Sequence, residues 1–185
     1  MCIRDREHLP PVSLEEAPRS GELFQRLLRI FLDNPSPLNA SPRDARQLRS
    51  AMEKGTRYWL ARDAHGEIVG ALGLETWRSM VVHVTVDAAR RARGLGLSMV
   101  LALHEEARSA GFTELRAQVL RRNPRALSLF LSLGYLPLEG MVRRYHELVK
   151  CLDEGGPRSG RDPAPDGPVA AGPPPGDDPG RSAGS

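Results

Sequence analysis

The chain has 185 residues, 40% of them hydrophobic and 26% charged, and carries a formal net charge of +3. That length supports one domain with a sizeable core, and the mild charge speaks against nucleic acid as the partner. No apolar run approaches the ~18 residues of a membrane span, no secretory h-region is present, and Cys2 and Cys151 form neither a disulfide framework nor a metal-ligand spacing. Cytoplasm is the expected compartment. Only Lys54 and Lys150 are lysines among the 26 basic residues. Arginine suits two-point recognition of phosphate or carboxylate, although a GC-rich genome gives the same bias with no functional meaning.

Met1-Cys2-Ile3-Arg4-Asp5-Arg6 resembles the translation of a transposon-adapter end from a sequencing library. Residues 1–11 are therefore expected to be non-native or disordered and are set aside. The true start would then be missing, truncating a first strand whose remnant is expected near Pro11 to Leu14. Glu22 to Leu32 reads as a helix, with Leu23, Leu27 and Phe31 at helical spacing, and Asn34-Pro35-Ser36-Pro37 ends it. A second helix is expected from Ser41 as N-cap, with Pro42 at its first position and Asp44 three residues on, running to Gly55.

The period then changes to two. Tyr58 to Arg62 and Glu67 to Glu75 are predicted strands around a turn at Asp63-Ala64-His65-Gly66, and Met80 to Val86 is a valine-rich third strand. Leu97 to Ala110 is a predicted helix with Val100, Leu103 and Ala107 buried, ended by Gly111. Glu114 to Leu120 alternates as a strand. Asn123 caps a further helix with Pro124 at its first position, ending at Gly134. Tyr135 to Leu138 and Met141 to Val149 read as a closing strand pair. From Glu154 onward the chain holds eight of the 16 prolines and eight of the 18 glycines, with Val169 its only large aliphatic residue. It buries too little to offset ordering entropy, so residues 153–185 are expected to be a disordered tail and 12–152 the folded domain.

The chemistry concentrates between Val84 and Leu97. A strand, an arginine-rich turn with Gly94 and Gly96, and a helix N-terminus make an anion-binding place, because the turn and the first helical turn direct backbone N–H groups at one spot. A dinucleotide fingerprint needs a third glycine where Met99 stands, and no Gly-Lys-Ser/Thr triplet makes a P-loop. Arg108 stands where a zinc-protease helix needs its second histidine, and no glycine closes a nucleophile elbow.

Arg91-Ala92-Arg93-Gly94-Leu95-Gly96, preceded by Val84-Thr85-Val86-Asp87, resembles the pyrophosphate-binding motif of the GNAT superfamily of acyl-CoA-dependent N-acyltransferases. Asn123-Pro124-Arg125-Ala126-Leu127-Ser128-Leu129-Phe130-Leu131-Ser132-Leu133-Gly134-Tyr135 resembles that family's second signature, Asn-x-x-Ala-x-x-Leu-Tyr-x-x-x-Gly-Phe. The two motifs and the element order cover roughly residues 12 to 150. The resemblance implies an α/β (α+β) fold: one domain with a mixed, mostly antiparallel central sheet flanked by helices. It also implies acetyl-CoA as cosubstrate and no metal. The cofactor would be held by Val84, Val86, Arg91, Arg93, Gly94, Leu95, Gly96, Leu97, Asn123 and Phe130, with the strands ending near Val86 and Leu120 splayed to admit its pantetheine arm. Arg121, Arg122 and Arg125 are candidates for the rim around the 3′-phosphate, or ordinary solvated arginines.

The implied function is transfer of an acetyl group to a primary amine, on a small molecule or on a protein N-terminus or lysine, by a monomer or homodimer. The alternative is a catalytically weak module that binds or senses acetyl-CoA, because Phe130 replaces the tyrosine that commonly protonates the leaving thiolate. The base positions that the resemblance implies hold Met80 and Val82, which take no proton. The acid and base are thus unassigned; the candidates are His83, Glu75 and Tyr145. Imidazole suits a base near neutral pH, yet strict alternation puts His83 on the other face from Val82 and Val84 unless a bulge turns it.

Overall fold

The helical and alternating segments assemble into a seven-stranded sheet with two helices on each face. The computed structural model describes residues 9–35, 41–91, 94–138 and 144–152. In chain order these are β1 (Ser13–Glu16), α1 (Glu22–Asp33), α2 (Ala45–Glu53), β2 (Thr56–Arg62), β3 (Ile68–Glu75), β4 (Met80–Val86), α3 (Leu95–Ser109), β5 (Glu114–Leu120), α4 (Pro124–Ser132), β6 (Leu136–Pro137) and β7 (Tyr145–Cys151). Short 3-10 turns lie at Thr76–Arg78 and Ala88–Arg90. The adapter-like start, Arg93, residues 36–40 of the α1–α2 loop, Met141 and the Pro/Gly-rich tail lie outside the described residues.

The strand order is β1-β2-β3-β4-β5-β7-β6. Neighbours are antiparallel except β4 and β5, which the α3 crossover makes parallel. This is the mixed, mostly antiparallel sheet that the resemblance implies. On one face Phe24, Leu27 and Phe31 of α1 and Leu48 and Met52 of α2 pack on Tyr58, Leu60 and Ala71. On the other, Met99, Val100, Leu103 and Ala107 of α3 and Phe130 of α4 cover Val81, Leu115, Ala117 and Val119. Each fully buried aliphatic side chain contributes about 1.5–3 kcal/mol by leaving water. Among the described residues no helix is long and apolar enough to cross a membrane.

Several boundaries differ from the expected ones. The N-cap of α2 is Asp44, whose carboxylate accepts from the Gln47 N–H at 2.8 Å. The helix therefore starts three residues after Pro42. α3 opens at Leu95, not Leu97: Gly94 is its N-cap at φ +76°, and Gly96 lies inside the first turn. A side chain at Gly96 would meet Leu129 Cδ1 of α4 at 3.1 Å, so glycine is what lets the two helices approach.

The register of β3 against β4 slips by one residue between Ala71 and Gly73. Ala71 pairs with Thr85 but Gly73 with Val82, so β4 carries one extra residue, and His83 within it takes the left-handed φ of +55°. The bulge reverses the sidedness of β4. Val81, Val84 and Val86 pack on the α3 side, while Val82 and His83 both face the α1 side, beside Tyr58 and Phe31.

Candidate active site

The site is built where β4 leaves β5. The parallel register joins Met80 to Arg116 and Val81 to Ala117, and both strands run on beyond it, to Val86 and Leu120. After Val86 the chain turns through Asp87, whose carboxylate accepts from the Ala89 N–H at 2.8 Å and so starts the 3-10 turn. Arg90 donates to Asp63 at 2.8 Å, tying this turn to the β2–β3 hairpin. Arg91 follows, and Gly94 then starts α3.

Between this turn and α4 lies a groove of about 960 Å³. One wall is Val86, Arg91, Gly94, Leu95, Gly96 and Leu97; the other comes from α4, including Pro124, Arg125, Ser128 and Leu129. Helix geometry aims the N–H groups of Leu95 and Gly96 out of the α3 N-terminus, where the 15-residue helix also presents the positive end of its dipole. The positive φ of Gly94 and the missing side chain of Gly96 keep this end of the groove open. Such a helix N-terminus is an environment suited to an anion.

Six of the ten cofactor-binding residues expected from the sequence, Val86, Arg91, Gly94, Leu95, Gly96 and Leu97, line this groove together. Arg93 lies outside the described residues. Val84 is half-buried and packs toward α3. Asn123 caps α4, its side-chain oxygen accepting from the Ala126 N–H at 3.2 Å. Phe130 is 6% exposed, and its ring meets Tyr135 edge-on at 5.0 Å. The second signature thus has its two aromatic positions exchanged: phenylalanine stands where tyrosine is usual and tyrosine where phenylalanine is. The Tyr135 hydroxyl is engaged inside the core, 3.0 Å from His104 Nε2, and burial pushes its phenol above the usual range.

The candidate proton carriers separate. His83, on the bulge, stacks on Tyr58, with Nδ1 2.8 Å from the Tyr58 hydroxyl and Phe31 edge-on to the ring. Burial, and secondarily the charge of Glu75, pushes the Tyr58 phenol above the usual range, so it stays protonated. Tyr145 pairs with Leu120 at the end of β5 and is half-buried. Glu75 pairs with Met80 at the far end of β4, five positions along β3 from Gly70, which sits opposite Val86. That is roughly 17 Å at strand rise. It bonds Arg78 and lines a separate pocket with Lys54 and Trp77.

Two residues that sequence reasoning missed complete the arrangement. Tyr58 reads in the sequence only as the start of a strand, and Asn34 as a helix terminator and the first residue of a loop expected to meet the acceptor, with no link to the turn after β4. Asn34 is 5% exposed and reaches the 3-10 turn after β4 across 54 residues, its side-chain oxygen accepting from the Ala88 N–H at 2.7 Å.

The model of the acetyltransferase (GNAT) family matches residues 24–135. Among curated protein sequences nothing matches the chain. By structure the chain is similar to a mutant form of the spermidine/spermine N-acetyltransferase SpeG from Vibrio cholerae, with a TM-score of 0.58 at 13% identity over 76% of this chain and 94% of that one. It is likewise similar to the Vibrio cholerae enzyme in complex with CoA and spermine, at a TM-score of 0.57, 11% identity and coverage of 76% and 95%. A dodecameric form of that enzyme gives a TM-score of 0.57 at 12% identity over 76% and 94%. At these identities the likeness shows the fold.

Proposed function

The chain belongs to the GNAT family of acetyltransferases, and from that premise we propose that it acetylates a primary amine on a small molecule, using acetyl-CoA. It is an acyl-CoA-dependent N-acyltransferase. The observation that carries the finer reading is the groove at the α3 N-terminus, open at the end of the sheet where β4 and β5 run beyond their shared register. That the structural neighbours are named for spermidine and spermine favours a small amine as acceptor.

Acetyl-CoA supplies an activated thioester. The rest falls to the chain. The N–H groups of Leu95 and Gly96 and the guanidinium of Arg91 would hold the pyrophosphate. Arg125, on the α4 wall, is the proposed partner of a further phosphate. Val84 and Val86 would align the pantetheine arm along β4, and Asn123 would meet it from the α4 side.

Amide formation requires one proton to leave the amine and one to reach the leaving sulfur. His83 is the proposed acceptor of the first, because the bulge turns it to the α1 face at the point where β4 leaves β5. Tyr58 holds the imidazole ring in place. Tyr145, at the end of β5, is the proposed donor of the second, in the absence of a hydroxyl at Phe130. Glu75 has no assigned proton step.

The test is thiol release from acetyl-CoA against pooled small amines, alongside melting curves with and without acetyl-CoA. Amine-dependent release is expected. Stabilisation by acetyl-CoA with no amine stimulating release would instead favour the catalytically weak binding module that Phe130 suggests. An unchanged melting curve at millimolar acetyl-CoA would overturn the cofactor assignment.

A further inference from the structure

Asn34 is a buried polar residue outside both signature motifs, and its side chain joins the end of α1 to the turn beside the groove. Its Nδ2 donates to the Ile30 carbonyl of α1 at 2.9 Å, fixing the amide orientation. Its Oδ1 accepts from the Ala88 N–H at 2.7 Å, within the 3-10 turn that follows β4. The same oxygen is 3.5 Å from Arg91 Nη2, and Arg91 Nε is 3.4 Å from the Val86 carbonyl. The contact to Ala88 is short and strong; the two to Arg91 sit at the outer limit of hydrogen bonding. The turn is therefore held firmly while the guanidinium is held loosely, against two neutral oxygens that a phosphate would outcompete through short, charge-assisted bonds.

We propose that Asn34 is a positioning residue for the phosphate turn: it fixes the backbone at Ala88 and parks the Arg91 guanidinium at the rim of the groove, ready to transfer to an anion. This rests on reading the groove as the site of a CoA pyrophosphate. It also makes the C-terminal end of α1 part of the cofactor site, although no Asn34 atom needs to touch the ligand.

The experiment is calorimetric titration of the full chain with coenzyme A, for wild type, Asn34→Ala, Arg91→Ala and the double variant, with melting curves for each. Asn34→Ala is expected to raise Kd about 5- to 10-fold, and the double variant to lose less than the product of the two single losses. At saturating acetyl-CoA its kcat should match wild type while KM rises. Asn34→Asp keeps an acceptor for Ala88 but loses the donor to the Ile30 carbonyl and would lock Arg91 in an ion pair, so it should also raise Kd, at some loss of melting temperature; it serves if the alanine variant does not fold. A Kd within twofold of wild type in the folded variants, or fully multiplicative losses, would overturn the role of Asn34 alone. Failure of wild type to bind coenzyme A would overturn the reading of the groove as well.

Discussion

The Tyr58 phenol lies nearly parallel to the His83 imidazole, with an interplanar angle of 6° and centroids 5.7 Å apart, and its hydroxyl is 2.8 Å from Nδ1. Two strands that are not neighbours, β2 and β4, are joined by this pair across β3. The backbone of His83 pays for the arrangement with a left-handed φ that a non-glycine residue adopts only at about 1–3 kcal/mol.

If that pair serves proton transfer, Tyr58→Phe keeps the stack and removes the bond. A neutral hydrogen bond contributes about 0.5–1.5 kcal/mol net, so kcat with a working amine should fall about 2- to 10-fold while KM for acetyl-CoA stays put. Steady-state thiol release measures both, and a change confined to KM would count against the role.

Gly96 faces α4, where an added side chain would press on Leu129. Gly96→Ala brings a methyl to 3.1 Å from Leu129 Cδ1, the flexible end of a side chain, and should fold with weakened cofactor binding. Gly96→Trp should fill the groove and abolish the rise in melting temperature that acetyl-CoA produces. Undiminished stabilisation of the tryptophan variant would move the cofactor elsewhere.

Phe130→Tyr restores the family's usual hydroxyl at a position whose ring already packs edge-on against Tyr135. Thiol release should be preserved or raised. A drop in kcat with an unchanged melting temperature would show that the proton comes from another group, and Tyr145→Phe is the variant to compare.

Two buried phenols are expected to set the alkaline limit of stability. Burial raises Tyr58 and Tyr135 in the folded state relative to the unfolded value near 10. The sign follows: their contribution is complete below about pH 10 and is lost as pH rises through the folded values. Melting temperatures should hold to roughly pH 9 and then fall, with tyrosinate absorbance appearing together with unfolding. Tyr135→Phe should fall less steeply, and tyrosinate appearing well before unfolding would refute the assignment.

Where a signal was periodic and local, the sequence was readable. The span of β4, the span and alternation of β5 and the Asn123–Pro124 start of α4 came directly from residue spacing. Helix starts were less legible: Ser41-Pro42 is a sound capping pattern, but Asp44 wins because its carboxylate reaches Gln47. The glycine turn was found, yet its division between cap and helix depends on φ at Gly94, which the letters do not encode. The bulge at His83 breaks the alternation that strand reading assumes. Tyr58 and Asn34 were missed for a simpler reason: their partners lie 25 and 54 residues away, and nothing local marks either contact.

The bulge has a consequence for how β4 would tolerate substitution. A strand normally accepts change with a period of two, one side strict and one side lenient. Here the strict positions toward α3 are Val81, then Val84 and Val86, a step of three followed by a step of two. A saturation scan along β4 should show that rhythm slip phase between Val82 and Val84. Deleting one residue there would bring the two halves back into phase and restore an ordinary strand, with the histidine kept on the α1 face only when Val82 is the residue removed.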